Sequence, residues 1–566
     1  MSVCAAGGCG NRTWHGRCLA LSGRPGRVGR RHAHKSPGGG CGWRALESRT
    51  DRDKNVPAEF KGEFMRLSLP SRAGVTLAAS AALLASTVAL AQAAPAAEEP
   101  TSTYVPIDVS DGRLMSYAVN LRTANPGQTR LVERAVEEAG GVVVQSWPQI
   151  GVVIAHSTSA SFLAELPAGP GSPIESAGPT RTAEVSEGTP GVERETVPGD
   201  RGAAPYKRQP RVHGLDAGDV TSAEGATEVR EGNLWNLDMI DAYAAHEISE
   251  GSDGVLVGVL DSGIDAAHPD LAATVDASTS VGCTAAGQPD TSPEAWGVTT
   301  SGHGTHVAGT IAAARNGAGV VGVAPNVRMA SVKVVNDDGY IYPEYAICGF
   351  VWAADRGMDV TNNSYYIDPF EFWCGDQPLQ APAMEAVRRA VDYATGRGVV
   401  HAAAAGNSAY DLANKTTNAS SPNDGIAIDR QINGTCKDMP TELDGVVTVS
   451  ALGRDGSKAG FSNFGTGVID VSAPGAGITS TFPGARYATA SGTSMASPHV
   501  AGVLALLKST HPGATPAELI ALLEAQADDT ACPAGVALCV GTAEDNGFYG
   551  EGIVNALDAV TSGIRE

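Results

Sequence analysis

Four short apolar runs, at residues 255–260, 327–335, 399–405 and 446–451, most constrain how this chain of 566 residues can fold. Each is rich in Val, Ile, Leu or Ala and lacks the alternation of a half-solvated strand, so each reads as a strand covered on both faces. Between them lie Ala-rich stretches of helical character. Strands alternating with helices give a parallel sheet flanked by helices, so the expected architecture from residue 233 onward is a three-layer α/β sandwich with a mainly parallel sheet. Ligand sites in such folds gather at the carboxyl ends of the strands.

Asp261 stands at such an end, in Val259-Leu260-Asp261-Ser262-Gly263-Ile264-Asp265. Alone, an Asp after a strand says little. Two further motifs follow it: Gly302-His303-Gly304-Thr305-His306-Val307-Ala308-Gly309, and Gly492-Thr493-Ser494-Met495-Ala496-Ser497-Pro498-His499-Val500-Ala501-Gly502. Hydrolysis of an acyl bond by serine needs an imidazole to take the hydroxyl proton and a carboxylate to hold that imidazole in the right tautomer. Asp261, His303 and Ser494 supply the three groups. Ser494 precedes an apolar helix, so its backbone amide is expected to point from a helix N-terminus towards developing negative charge. Pro498 is expected in the first turn, where its missing donor costs nothing. The order Asp, His, Ser differs from that of α/β-hydrolases, which place the serine first.

These motifs resemble the subtilisin-like serine peptidases, and the resemblance covers residues 233–566. It implies a serine endopeptidase acting on polypeptides. Ala403-Ala404-Ala405-Gly406-Asn407 matches the segment that supplies an oxyanion donor, so Asn407 and the Ser494 amide are the implied oxyanion hole. Val360-Thr361-Asn362-Asn363-Ser364-Tyr365-Tyr366 matches the substrate-pairing strand. Asn362, Ser364, Tyr365 and Tyr366, with Ala404 and Gly406, are therefore the implied substrate-binding residues. Tyr366 replaces a glycine common in relatives; it either shapes a specificity pocket or packs in the core. His306 is read as structural, because zinc helices favour the His-Glu-x-x-His spacing. No cofactor is required by the chemistry. Calcium is compatible with the resemblance as a structural ion, without assigned ligands; Asp265 and Asp270 read as turn and surface residues.

Residues 94–166 read as a small α+β unit: a strand at 115–121, a helix at 129–139, and strands at 142–144 and 152–155. Its position resembles the inhibitory prodomain of secreted subtilases, which would make the chain's own prodomain its folding assistant and inhibitor. Residues 167–232 are rich in Pro, Gly, Ser, Thr and Glu with one aromatic, Tyr206, and read as a flexible linker carrying the basic pair Lys207-Arg208. Residues 65–93 read as a secretory signal: Arg66 and Arg72, an apolar run at 75–90, then Ala91-Gln92-Ala93. A signal belongs at an N-terminus, so residues 1–64 read as a doubtful upstream extension and Met65 as the start. Secretion to the extracellular space follows.

The formal charge of −22 is uneven, since residues 1–64 hold 12 Lys+Arg against 5 Asp+Glu and the remainder sums to −29. So acidic a body argues against nucleic acid as partner. No run after the signal suits a membrane anchor, and a monomer is expected. Leaving aside Cys4, Cys9, Cys18 and Cys41, six cysteines remain: Cys283, Cys348, Cys374, Cys436, Cys532 and Cys539. An exported chain would form up to three disulfides, with Cys532 and Cys539 the local pair. Three other readings compete. A dedicated processing peptidase is suggested by Tyr365-Tyr366 and the Cys-bearing segment 375–436, a dead scaffold would keep the fold without reacting with fluorophosphonate, and an esterase would turn over esters without cleaving peptides.

Overall fold

The computed structural model describes residues 101–167, 169–189, 221–222 and 231–561. The upstream extension, the signal segment and Lys207-Arg208 lie outside the described residues.

The N-terminal module forms a four-stranded antiparallel sheet, order β2-β3-β1-β4, from β1 (Met115–Leu121), α1 (Pro126–Glu138), β2 (Gly141–Trp147), β3 (Val152–Ser157) and β4 (Ile174–Pro179). Helix α1 begins where Asn125 accepts the Gln128 amide and Pro126 opens the first turn. The strands follow the sequence reading, but β4 falls within the stretch expected to be linker. It is short of large apolar side chains and is ordered by backbone bonds to β1 and by packing of Gly178 against Pro382.

Strands β1 and β3 are buried along their whole length, and their alternation explains how. Met115, Tyr117, Val119, Val153 and Ala155 face α1 and Phe162 in the module's own core. Ala118, Val152 and Ile154, with Val144 and Trp147, face the opposite way into the core of the main body. Polar contacts stitch the same interface: Asn120 Nδ2 donates to the Pro382 carbonyl at 2.8 Å, and Arg389 donates to the carbonyls of Leu121 and Gly151. Arg181, 1 % exposed, lies over the Tyr342 ring, pairs with Glu187 at 2.9 Å and bonds the buried Glu344.

The main body is built on an eight-stranded sheet. Its strands are β5 (Leu256–Asp261), β6 (Val281–Ala285), β7 (Gln288–Asp290), β8 (Arg328–Lys333), β9 (Val360–Asn363), β10 (Val400–Ala404), β11 (Val446–Leu452) and β12 (Val471–Pro474). They lie in the order β12-β11-β10-β9-β5-β8-β6-β7, parallel throughout except for the β6–β7 hairpin. Helices α2 (His303–Ala312) and α5 (Thr493–Thr510) cover one face, while α3 (Pro343–Asp355) and α4 (Ala381–Gly396) cover the other and carry the N-terminal module. This is the expected α/β sandwich, and the four apolar runs are its β5, β8, β10 and β11. Disulfides join Cys283 to Cys348, Cys374 to Cys436 and Cys532 to Cys539, including the expected local pair. Among the described residues no helix is long and apolar enough to cross a membrane.

Replacing Arg181 by Ala leaves Glu344 buried without its cation, a change that costs about 3–5 kcal/mol where one partner of a buried pair is removed. In a Ser494→Ala background the expected result is a clearly lower midpoint of urea or thermal unfolding. Exchanging both partners, Arg181→Met with Glu344→Gln, is expected to recover most of the loss.

Candidate active site

The ends of three adjacent parallel strands and the starts of two buried helices carry the candidate site. Strand β5 ends in Asp261, 1 % exposed, whose Oδ1 accepts the Ser262 amide at 2.7 Å. His303 opens α2, with its Nδ1 2.8 Å from both carboxylate oxygens of Asp261. An N–H must occupy Nδ1 to make that bond, which leaves Nε2 as the ring's free acceptor. Nε2 is buried and has no hydrogen-bond partner. Gly304 allows the approach: a Cβ there would stand 2.6 Å from the Gly263 carbonyl oxygen and 3.0 Å from Asp261 Oδ1.

Ser494 lies in the first turn of α5, which is buried from Thr493 to Leu507. Its Oγ donates to the Ser364 carbonyl at 3.2 Å rather than to His303. In return Ser364 Oγ donates to the Ser494 carbonyl at 2.9 Å. The reason is Pro498. It stands beyond the first turn, contrary to the sequence expectation, so the Ser494 carbonyl lacks the amide that would cap it four residues on. Ser364 fills that vacancy and ties the helix to the segment after β9.

Asn407 follows Gly406, whose φ of +98° suits glycine, at the end of β10. The Asn407 Oδ1 accepts the Thr493 amide at 2.8 Å and the Thr493 hydroxyl at 3.0 Å. Because an amide N–H must bond oxygen, Nδ2 is the atom left to donate. The Ser494 amide likewise has no partner among the described residues. Asn407 and Ser494, each with one donor left over, line the same pocket.

Beside Ser494 opens a pocket of about 400 Å³, counting its mouth, lined by Ser364, Tyr365, Tyr366, Ala404, Gly406, Asn407 and Ser494 among others. Five of the six residues expected to bind substrate are therefore in its wall. The sixth, Asn362, is fully buried beneath it: its Nδ2 donates to Ser364 Oγ and its Oδ1 accepts from Ser497 Oγ. Its short side chain points into the layer between β9 and α5, so it braces the wall without reaching the recess. The phenol of Tyr365 is buried and donates to Asn363 Oδ1, whereas Tyr366 is half-buried, accepting from Asn423. Two more lining residues, Glu371 and Asp438, escaped the sequence reading, having no motif around them.

His306 fits its structural reading. Its Nε2 lies 3.1 Å from the carbonyls of Ile478 and Ala488, and burial pushes its pKa down to about 4. Asp270 is not a surface residue: it is 1 % exposed and accepts from the Val320 amide, Asn316 and the Tyr487 hydroxyl. Asp265 caps turns, accepting the amides of Ala267 and Gly484. Cys374, Asp376 and Cys436 lie close enough together to suggest a metal, but the two sulfurs are joined to each other and offer no thiolate.

Residues 252–552 match the model of the subtilase family. The chain is 35% identical over 323 residues to Subtilisin BL of Lederbergia lenta, covering 57% of this chain and 96% of that one. It is 35% identical over 335 residues to Subtilisin E of Bacillus subtilis, covering 59% and 73%. In fold it resembles the epidermin leader peptide processing serine protease of Staphylococcus aureus, with TM-score 0.59, 20% identity, and coverage of 80% of this chain and 99% of that one. It also resembles fervidolysin of Fervidobacterium pennivorans, a keratinolytic enzyme related to subtilisin, with TM-score 0.53, 24% identity, and coverage of 81% and 63%. The family match over residues 252–552 and these relatives make the chain a member of the subtilase family and a serine-type peptidase.

Proposed function

We propose that the protein is a secreted serine endopeptidase in which Asp261, His303 and Ser494 form the catalytic triad, Asn407 and the Ser494 amide form the oxyanion hole, and the N-terminal module is an inhibitory prodomain. The observation that carries this reading is the 2.8 Å bond from His303 Nδ1 to Asp261, which leaves Nε2 buried and unpartnered among the described residues.

The chemistry follows from that arrangement. Ser494 Oγ turns from the Ser364 carbonyl towards His303, gives its proton to Nε2 and attacks the peptide carbonyl carbon. Negative charge gathers on the carbonyl oxygen, where the Ser494 amide and Asn407 Nδ2 donate to it; both are fixed beforehand, so they need not reorganise during the reaction. The imidazolium, stabilised by Asp261, returns its proton to the leaving amine. An acyl-enzyme on Ser494 remains, and water releases it by the same steps in reverse. Ser364, Tyr365 and Tyr366, with Ala404 and Gly406, hold the polypeptide as an added strand. No organic cofactor enters this sequence of events. Acidification that protonates His303 removes the base and with it the activity.

The prodomain reading rests on how the module is buried. One face of its sheet finds cover only against the main body, and slow assembly of a large parallel sheet is a step that a docked template assists. Export rests on the signal-like segment at 65–93.

The test is to express the precursor from Met65 beside its Ser494→Ala variant and follow product mass, N-terminus and fluorophosphonate labelling. The expected outcome is labelling and trimming in the parent only. Absence of labelling in well-folded parent would overturn the triad. Asn407→Leu is expected to keep the label while lowering kcat by about 10²–10³, the size of effect measured for loss of one such donor in subtilisin. Gly304→Ala, which drives a methyl group against the Asp261–His303 pair, is expected to cost on the order of 10²-fold in kcat/KM.

A further inference from the structure

Two carboxylic acids line the recess beside Ser494, and nothing in the reaction above uses them. Glu371 is 4 % exposed and Asp438 1 %. Glu371 is fully engaged: Ser408 Oγ donates to its Oε1 at 2.7 Å, while Asn418 Nδ2 and Ser420 Oγ donate to its Oε2. Three donors hold it in one orientation. Asp438 is different, because its Oδ1 is buried and has no hydrogen-bond partner.

Among the described residues no cation forms an ion pair with that carboxyl. Lys415 is taken by Glu442, at 2.5 Å, and by the Leu412 carbonyl. Arg430 turns to the Phe372 carbonyl and to Asn418. Burial pushes the Asp438 carboxyl well above the usual range, and the charges of Glu442 and Glu371 push it further, while Lys415 opposes them. A buried acid without a partner is costly, and such groups concentrate where a ligand completes them.

The acids are also rigidly mounted. Glu371 precedes the strand Trp373–Cys374, Asp438 follows the strand Cys436–Lys437, and these two short strands pair with each other. The Cys374–Cys436 disulfide joins them over a small core of Phe372, Leu412 and Ile432. Tyr365 and Tyr366 supply aromatic wall for an alkyl stem.

We propose that this pocket takes the cationic side chain, Arg or Lys, of the residue whose carbonyl Ser494 attacks, with Asp438 and Glu371 as its specificity-determining acids. The inference rests on the peptidase reading and names its substrate class: polypeptides with a basic residue on the acyl side of the cut. An apolar side chain in the same place would seal Asp438 away from water without a partner, so the pocket rejects it as well as favouring a cation. Lys207-Arg208, in the segment read from sequence as a flexible linker, has this chemistry within the chain itself.

The test compares kcat/KM of the processed enzyme on two fluorogenic peptides identical except for Arg or Leu before the cut. A preference for Arg of about 100-fold or more is expected, and Asp438→Asn should reduce it at least about tenfold, with fluorophosphonate labelling of Ser494 as the check on folding. In the parent, benzamidine is expected to protect Ser494 from the label at concentrations where neutral benzamide does not, a comparison that stands if the variant fails to fold. Preference for Leu, an unchanged preference in a labelled Asp438→Asn variant, or equal protection by the two probes would overturn the inference. Those results leave labelling of the parent intact, whereas failure of the parent to label would overturn the peptidase reading beneath it.

Discussion

Burying the start of a helix sets a demand that the rest of the site answers. In α5 the first turn lies wholly inside the protein, out of reach of water that would satisfy its open amides and carbonyls. The Thr493 amide is taken by Asn407 and the Ser494 carbonyl by Ser364 Oγ. Each of these partners comes from the segment just beyond the end of a different parallel strand. Satisfying the helix therefore draws β9 and β10 into register with it, and β5, paired to β9, brings Asp261 to the same end. What remains after this accounting is one amide, on Ser494, and one amide nitrogen, on Asn407. The oxyanion hole proposed above would be made of the donors that the fold leaves over.

The same logic explains why Pro498 is tolerated in the second turn of a core helix. A proline in a helix interior removes one backbone bond and costs about 3 kcal/mol or more where nothing replaces it. Here a side-chain hydroxyl replaces it, and the replacement belongs to Ser364, whose own carbonyl holds Ser494 Oγ. The two-way exchange between Ser364 and Ser494 makes the wall of the pocket and the head of the helix one rigid body.

Much of this was legible in the sequence where a residue's role depends on its neighbours in the chain. The apolar runs became β5, β8, β10 and β11 because a strand buried on both faces needs only its own composition to declare itself. The motifs that hold Asp261, His303, Ser494 and Asn407 stand out in the sequence because glycines and small residues around each mark close approaches of backbone. Other features depend on contacts distant in sequence, and for these no local signal exists. Strand β4 reads as linker because it has few apolar residues, and its cover comes from afar: Ile174 and Ala177 join the module's core, and Gly178 meets Pro382, some 200 residues on. Asp270 reads as a surface acid until Val320 and Tyr487 close over it. Asn362 sits in the substrate-strand motif, and only the packing of Ser497 against it shows that its side chain turns inward. Glu371 and Asp438 stand 67 positions apart, each an unremarked acid in an acidic chain, and only the pairing of the strands beside them brings both to one pocket. The cysteines at 374 and 436 were the one sequence cue, since residues this close to both acids had to be near each other if those cysteines joined.

A lining of apolar residues would make the pocket more stable than two acids do, because replacing buried ionisable groups by well-packed hydrophobes is commonly neutral or favourable. The treatment of the two acids is also unequal. Glu371 is given three donors, which hold its carboxyl in one orientation, whereas Asp438 is given none at Oδ1 although serine, threonine and asparagine side chains are abundant in the surrounding loops. Were both acids merely structural, both would be expected to be satisfied, as buried polar groups overwhelmingly are. One acid fixed and one left open is the pattern of a site whose last partner arrives from outside. The frame that holds them, a disulfide across two short strands, adds rigidity at the place where a loose carboxyl would relax towards water and lose its discrimination. On the reading proposed above, local stability is thereby exchanged for selectivity in the pocket beside Ser494.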